Sequence, residues 1–89
     1  MFCIRSGFAM EDKRTGFGDI SIDREKFVEN RADADRLFDQ WVAEDGRTED
    51  HGNQWWFAVV EMYAVDEDGD VVGEPVLEFK SPAIKQEFA

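Results

Sequence analysis

Eighty-nine residues suffice for one core and not for two, because a chain of this size buries only about 60–65% of its unfolded surface, and that leaves no room for a deep enzyme cleft. Twenty-one Asp and Glu against ten Lys and Arg give a formal net charge of −11, which repels naked nucleic acid and anionic lipid and attracts basic protein surfaces. A hydrophobic content of 43%, with eight Phe and three Trp, excludes a disordered chain.

Near the N-terminus Phe2, Ile4 and Phe8 alternate with Cys3 and Arg5, the period of a strand, and the run ends in the polar turn Glu11-Asp12-Lys13-Arg14. Past Gly16 and Gly18, Ile20 and Ile22 alternate with Asp19, Ser21 and Asp23, and Phe27-Val28 closes a second strand paired to the first. Asp23 to Lys26 breaks the alternation, as a bulge or the start of a helix would. From Asn30 the period changes: Ala34, Leu37, Phe38, Trp41 and Val42 form the single apolar stripe of an amphipathic helix. Asn30 is a suitable N-cap and Asp33 suits the positive end of the helix dipole, while Gly46 stands where a left-handed C-terminal residue is wanted.

Asp45 to Asn53 holds no apolar residue and two glycines, the composition of a solvated loop. Gln54 to Val65 follows as the longest strand, then a tight turn at Asp66-Glu67-Asp68-Gly69-Asp70, then a last strand from Val71 to Lys80 in which Pro75 marks an edge or a bulge. The expected fold is α+β: a two-layer, about four-stranded antiparallel sheet in the order β-β-α-β-β with one amphipathic helix across it. Residues 1–80 form a single domain and residues 81–89 a C-terminal tail packed through Ile84 and Phe88. On the long strand Trp56, Ala58, Val60, Met62 and Ala64 point one way and Trp55, Phe57, Val59, Tyr63 and Val65 the other, so both faces are apolar. One helix covers one face. The second face is then expected to be buried in a homodimer, against a target, or under the chain's own N-terminal segment or tail.

Cys3 is the only cysteine, so no intrachain disulfide forms and a reducing compartment is permitted. The opening MFCIRSGFAM does not resemble a secretory signal, and no stretch approaches the ~20 apolar residues of a membrane span. A cytoplasmic location is expected, the host's cytoplasm if the chain is viral.

Candidate chemistry is sparse. Asp66, Asp68 and Asp70 alternate as oxygen ligands for calcium would, but Val71 and Leu77 occupy the positions where an EF-hand loop needs Gly and Glu, and a hairpin turn on Asp68-Gly69 accounts for the same residues. His51 lies beside Glu49 and Asp50, yet a nucleophilic pair with Cys3 needs the first strand to reach that loop, and one Cys with one His is too few for zinc. Trp55, Trp56 and Phe57 offer aromatic stacking surfaces without the positive groove that single-stranded nucleic acid requires. Neither a metal nor a cofactor is expected, and the chain reads as a non-enzyme.

The more telling pattern is acidic. Asp35 and Asp39 are a like-charged i, i+4 pair costing roughly a few tenths of a kcal/mol, and Glu44 and Asp45 stand at the negative end of the helix at about 0.3–1 kcal/mol each. Stability alone does not select them. With Glu49 and Asp50 they suggest an acidic ridge, interrupted by Arg36, whose alternative reading is a solvated helix face. In size, charge and lack of catalytic motifs the chain resembles small acidic phage-encoded anti-defence inhibitors of the anti-CRISPR and DNA-mimic type. That resemblance implies stoichiometric inhibition by occluding a basic nucleic-acid site or an assembly surface. The residues expected to bind the partner are Asp35, Asp39, Glu44, Asp45, Glu49 and Asp50, with Trp55 as an apolar anchor. The expected partner is a protein with a basic surface in a nucleic-acid-binding complex, without direct contact to nucleic acid or membrane. The alternative is a self-associating structural domain whose acidity serves solubility or salt adaptation.

Overall fold

The computed structural model describes residues 1–16 and 18–81. Two long strands, β1 (Phe2–Asp12) and β2 (Gly18–Val28), precede the helix α1 (Arg31–Asp45). A short strand β3 (Thr48–Asp50) and the hairpin of β4 (Gln54–Val65) and β5 (Val71–Lys80) complete the order. Every pairing is antiparallel, in the sequence β2-β1-β4, and the far side of β4 is shared: β3 pairs with residues 55–57 and β5 with residues 59–65. This is the α+β arrangement that the periodicities require, with one more strand than expected.

The additional strand corrects the reading of residues 45–53 as loop throughout. Backbone pairing needs no apolar side chain, and Thr48, Glu49 and Asp50 ladder onto Phe57, Trp56 and Trp55. The His51 N–H donating to the Gln54 carbonyl at 2.9 Å closes the turn into β4.

The helix lies on one face of the sheet. Val60 and Met62 of β4 join Ile4 of β1 and Ala34, Phe38 and Trp41 of α1 in the main core, with Phe2, Val28, Leu37, Val42, Leu77 and Phe79 packed around it. Each fully buried side chain of this size contributes about 1.5–3 kcal/mol, so this cluster dominates stability. The other face carries a smaller cluster of Ala9, Phe57 and Val59 with Trp55 against it. No described helix or strand lies over that second face.

Local details follow from individual residues. Asn30 caps α1 with its side-chain oxygen, accepting the Asp33 N–H at 2.9 Å. Gly46 is not left-handed, as its position had suggested: its φ is −72°, and its N–H donates to the Val42 carbonyl at 2.8 Å. A glycine is needed there for space, because a Cβ would fall on that carbonyl oxygen and press on the Phe79 ring.

Asp23 resolves the break in β2 as a bulge. The register moves from Ser6↔Arg24 to Gly7↔Ile22, which leaves Asp23 without an opposing residue. Gly7 makes room for it, since a Cβ on Gly7 would collide with the Ser21 carbonyl. In β5 the pairing shifts from Leu77 to Val72, so residues 73–76, including Pro75, leave the ladder. Ser81 is buried and accepts the Ala58 N–H at 2.9 Å through its hydroxyl. The packing expected of Ile84 and Phe88 lies outside the described residues. Among those described, no helix is long and apolar enough to cross a membrane.

Candidate protein-binding surface

The helix carboxylates stand on exposed and half-buried positions of α1, where most meet a cation. Asp35 accepts from Arg31 one turn earlier at 2.8 Å. Arg24, reaching over from β2, divides its guanidinium between Glu44 at 3.1 Å and Asp45 at 2.5 Å, with its Cζ 4.2 Å from the Trp41 ring centre. The Gln40 amide and then Arg24 hold the Glu44 carboxyl below its usual range. Glu49 is paired with Arg47 and with His51. Asp50 accepts from Lys13 at 2.7 Å, and this contact, with the Gly52 N–H, holds its carboxyl below the usual range. Of the six expected contact carboxylates, only Asp39 makes no ion pair among the described residues.

Trp55 does not belong to the helix side of the molecule. It packs with Phe57 on the opposite sheet face, half-buried under the Lys13 ammonium at 4.0 Å. Lys13 thereby joins Trp55 to Asp50, its partner in the ladder. Trp56 takes the other face, stacked on His51 at 4.0 Å and near Phe8 at 5.9 Å. The consecutive aromatics of β4 therefore do not make a single stacking platform.

The remaining chemical candidates are also separated. Cys3 is fully buried opposite Tyr63, while His51 lies at the other end of β4, eight residues away along the strand from Tyr63 to Trp55 and hence about 26 Å off. Burial, then the Glu25 charge, pushes the Cys3 thiol up and keeps it protonated. Asp66 folds its carboxylate back onto the N–H groups of Asp68 and Asp70, both at 2.9 Å, which makes the hairpin turn. No group of three or more metal-ligating side chains is brought together among the described residues.

The charge that is not compensated lies elsewhere. Residues 61–79 contain seven carboxylates and no Lys or Arg: Glu61, Asp66, Glu67, Asp68, Asp70, Glu74 and Glu78. None makes an ion pair among the described residues. Glu61 and Glu78 stand directly opposite in the β4–β5 ladder, a like-charged juxtaposition that works against the sheet. Glu61 accepts the Tyr63 hydroxyl at 3.1 Å; burial, then the Glu61 charge, raises the Tyr63 pKa. The sequence signal for this surface is the absence of any Lys or Arg between Arg47 and Lys80. No protein-family model, curated protein or solved structure matches the chain.

Proposed function

We propose that the protein is a non-enzymatic inhibitor that docks its acidic surface on a basic, nucleic-acid-binding site of a partner complex. The observation that carries this reading is the β4–β5 hairpin end, where Asp66, Glu67, Asp68, Asp70 and Glu74 gather without a compensating cation among the described residues. Along α1 and β3 most carboxylates are already engaged by Arg24, Arg31, Arg47 and Lys13, so those surfaces offer less net field. A basic site normally filled by phosphates sees a group of carboxylates at the end of the β4–β5 hairpin and gains on-rate and orientation from it. The resemblance to anti-CRISPR and DNA-mimic inhibitors implies stoichiometric inhibition by occluding a basic nucleic-acid site or an assembly surface, and this reading takes the first of the two.

The test is affinity capture from bacterial lysate at about 0.05 and about 0.5 M salt, where screening shortens the reach of exposed charges severalfold. The partner is then purified and its affinity measured against the variant Asp66→Asn/Glu67→Gln/Asp68→Asn/Asp70→Asn. A nucleic-acid-binding protein that is lost at high salt and weakened at least about tenfold by the variant is expected. Equal affinity of the variant, or a partner retained in high salt, contradicts the reading.

A further inference from the structure

Three of the six large apolar side chains most exposed to solvent lie on a single strand: Ile20, Ile22 and Phe27 of β2, at 60, 43 and 47% exposure. The bulge at Asp23 turns all three to one face. Ile20 pairs with Ala9, Ile22 with Gly7 and Phe27 with Cys3, on the sheet face opposite α1. β2 is also an outer strand of the sheet, 11 residues long and free of Pro, and no described strand pairs with its outer side. Such an edge presents unpaired backbone groups to another strand, while the bulge at Asp23 and the charges of residues 23–26 work against any strand that does not match them.

The spacing on this edge is self-complementary. When β2 is set antiparallel to a second copy of itself, about a two-fold axis normal to the sheet and centred between Asp23 and Arg24, the same-face rule holds on both sides of the bulge. Ile20 of each copy then lies opposite Phe27 of the other, and Ile22 lies opposite Glu25 and diagonal to Phe27. Three apolar side chains thus gather at each end of the joint, on either side of two central Glu25 carboxylates, each paired with Arg5 of its own copy. On the helix side, Ser21 comes opposite Lys26, and Asp19 comes diagonal to it. Neither Asp19 nor Lys26 makes an ion pair among the described residues, so the arrangement supplies each with one. An unrelated strand has no reason to match this symmetric placement about Asp23 and Arg24; a second copy does so automatically.

We propose that the chain associates with a second copy of itself through β2, forming a two-fold dimer with one continuous sheet and both helices on the same side. This goes beyond the docking function and depends on the opposite electrostatics. Each copy carries a net charge of −11, so the dimer forms against mutual repulsion and strengthens when salt screens it. Docking on a basic partner weakens under the same change.

Sedimentation equilibrium of the purified chain tests the proposal. A monomer–dimer equilibrium is expected that tightens at least about threefold between about 0.05 and about 0.5 M salt. Ile20→Lys, at an exposed position that leaves the core intact, should weaken the dimer at least about tenfold. Because Ile20 faces the second copy's Phe27, the double variant Ile20→Lys/Phe27→Glu should associate more tightly than either single variant at low salt. Unchanged far-ultraviolet circular dichroism in each variant confirms that folding is retained. A chain that stays monomeric at high salt overturns the proposal, as does a dimer indifferent to Ile20→Lys or a double variant no better than the singles. A monomer that still docks on a basic partner would overturn the dimer alone and leave the docking function standing.

Discussion

Gly46 ends α1 in a space that admits no side chain, between the Val42 carbonyl and the Phe79 ring. Gly46→Ala is expected to lower stability by about 1–3 kcal/mol through that crowding, measured by urea denaturation. Phe38, buried between the helix and the sheet, should cost more: Phe38→Ala removes about 3–5 kcal/mol because the cavity cannot collapse between fixed layers. Acid sensitivity also belongs to single residues. The Asp12 carboxylate accepts the Arg14 and Thr15 N–H groups and is held below its usual range by them, as Asp50 is by Lys13 and Glu44 by Gln40 and Arg24. A carboxyl whose folded pKa is depressed contributes stability that is fully present above its unfolded value and is lost as pH falls through the folded value. The melting temperature should therefore be level above about pH 5 and fall below about pH 4, and Asp12→Asn should flatten that fall. A melting temperature constant down to about pH 2.5 would contradict this assignment.

At the scale of elements, β1 and β4 are paired on both sides and carry the main core, whereas β2, β3 and β5 are each paired on one side only. Amide exchange should be slowest in the middle of β1 and β4 and fastest in β3, a three-residue strand held on one side only. The same hierarchy explains what the sequence revealed. The apolar stripe of Ala34, Phe38 and Trp41, the Asn30 cap and the span of β4 all follow from local periodicity and capping chemistry. β3 did not, because Thr48, Glu49 and Asp50 join the sheet through their backbones and leave no apolar pattern. The conformation of Gly46 also depended on a distant ring, Phe79. The acidic surface was legible only in part: the carboxylates of α1 stood out by spacing and Arg31 meets Asp35 within the helix, but Arg24, which engages Glu44 and Asp45, comes from β2 and Lys13, which engages Asp50, from the turn after β1, which only the fold brings near. The hairpin acids were visible as a stretch without cations. Accordingly, amide substitution of Asp35, Glu44 and Asp45 should weaken partner binding less than about threefold, against at least about tenfold for the hairpin set, by titration at low salt.

For the whole molecule the relevant length is set by screening. The chain is 48 Å in its longest dimension, several times the Debye length of about 8 Å at physiological salt. Charges at its two ends therefore act on a partner independently. Glu49, Asp50 and Trp55 sit at one end of β4 and the Asp66–Asp70 turn at the other, about 36 Å apart along the strand. On the proposed function a single basic site would engage one acidic end or the other, and the hairpin end, without an ion pair among the described residues, is the one assigned to it. The proposed dimer through β2 would leave the β4–β5 hairpins on the strand pair away from the joint and so is compatible with the proposed docking.

The most direct test of the central claim is displacement. A fluorescently labelled duplex is bound to the purified partner at low salt, and the protein is titrated in while anisotropy is followed. Full release of the duplex at about one equivalent, shifted to at least about tenfold higher concentration by the hairpin amide variant, is the expected result. Binding of the protein with the duplex still held, in a ternary complex, would contradict occlusion of the nucleic-acid site.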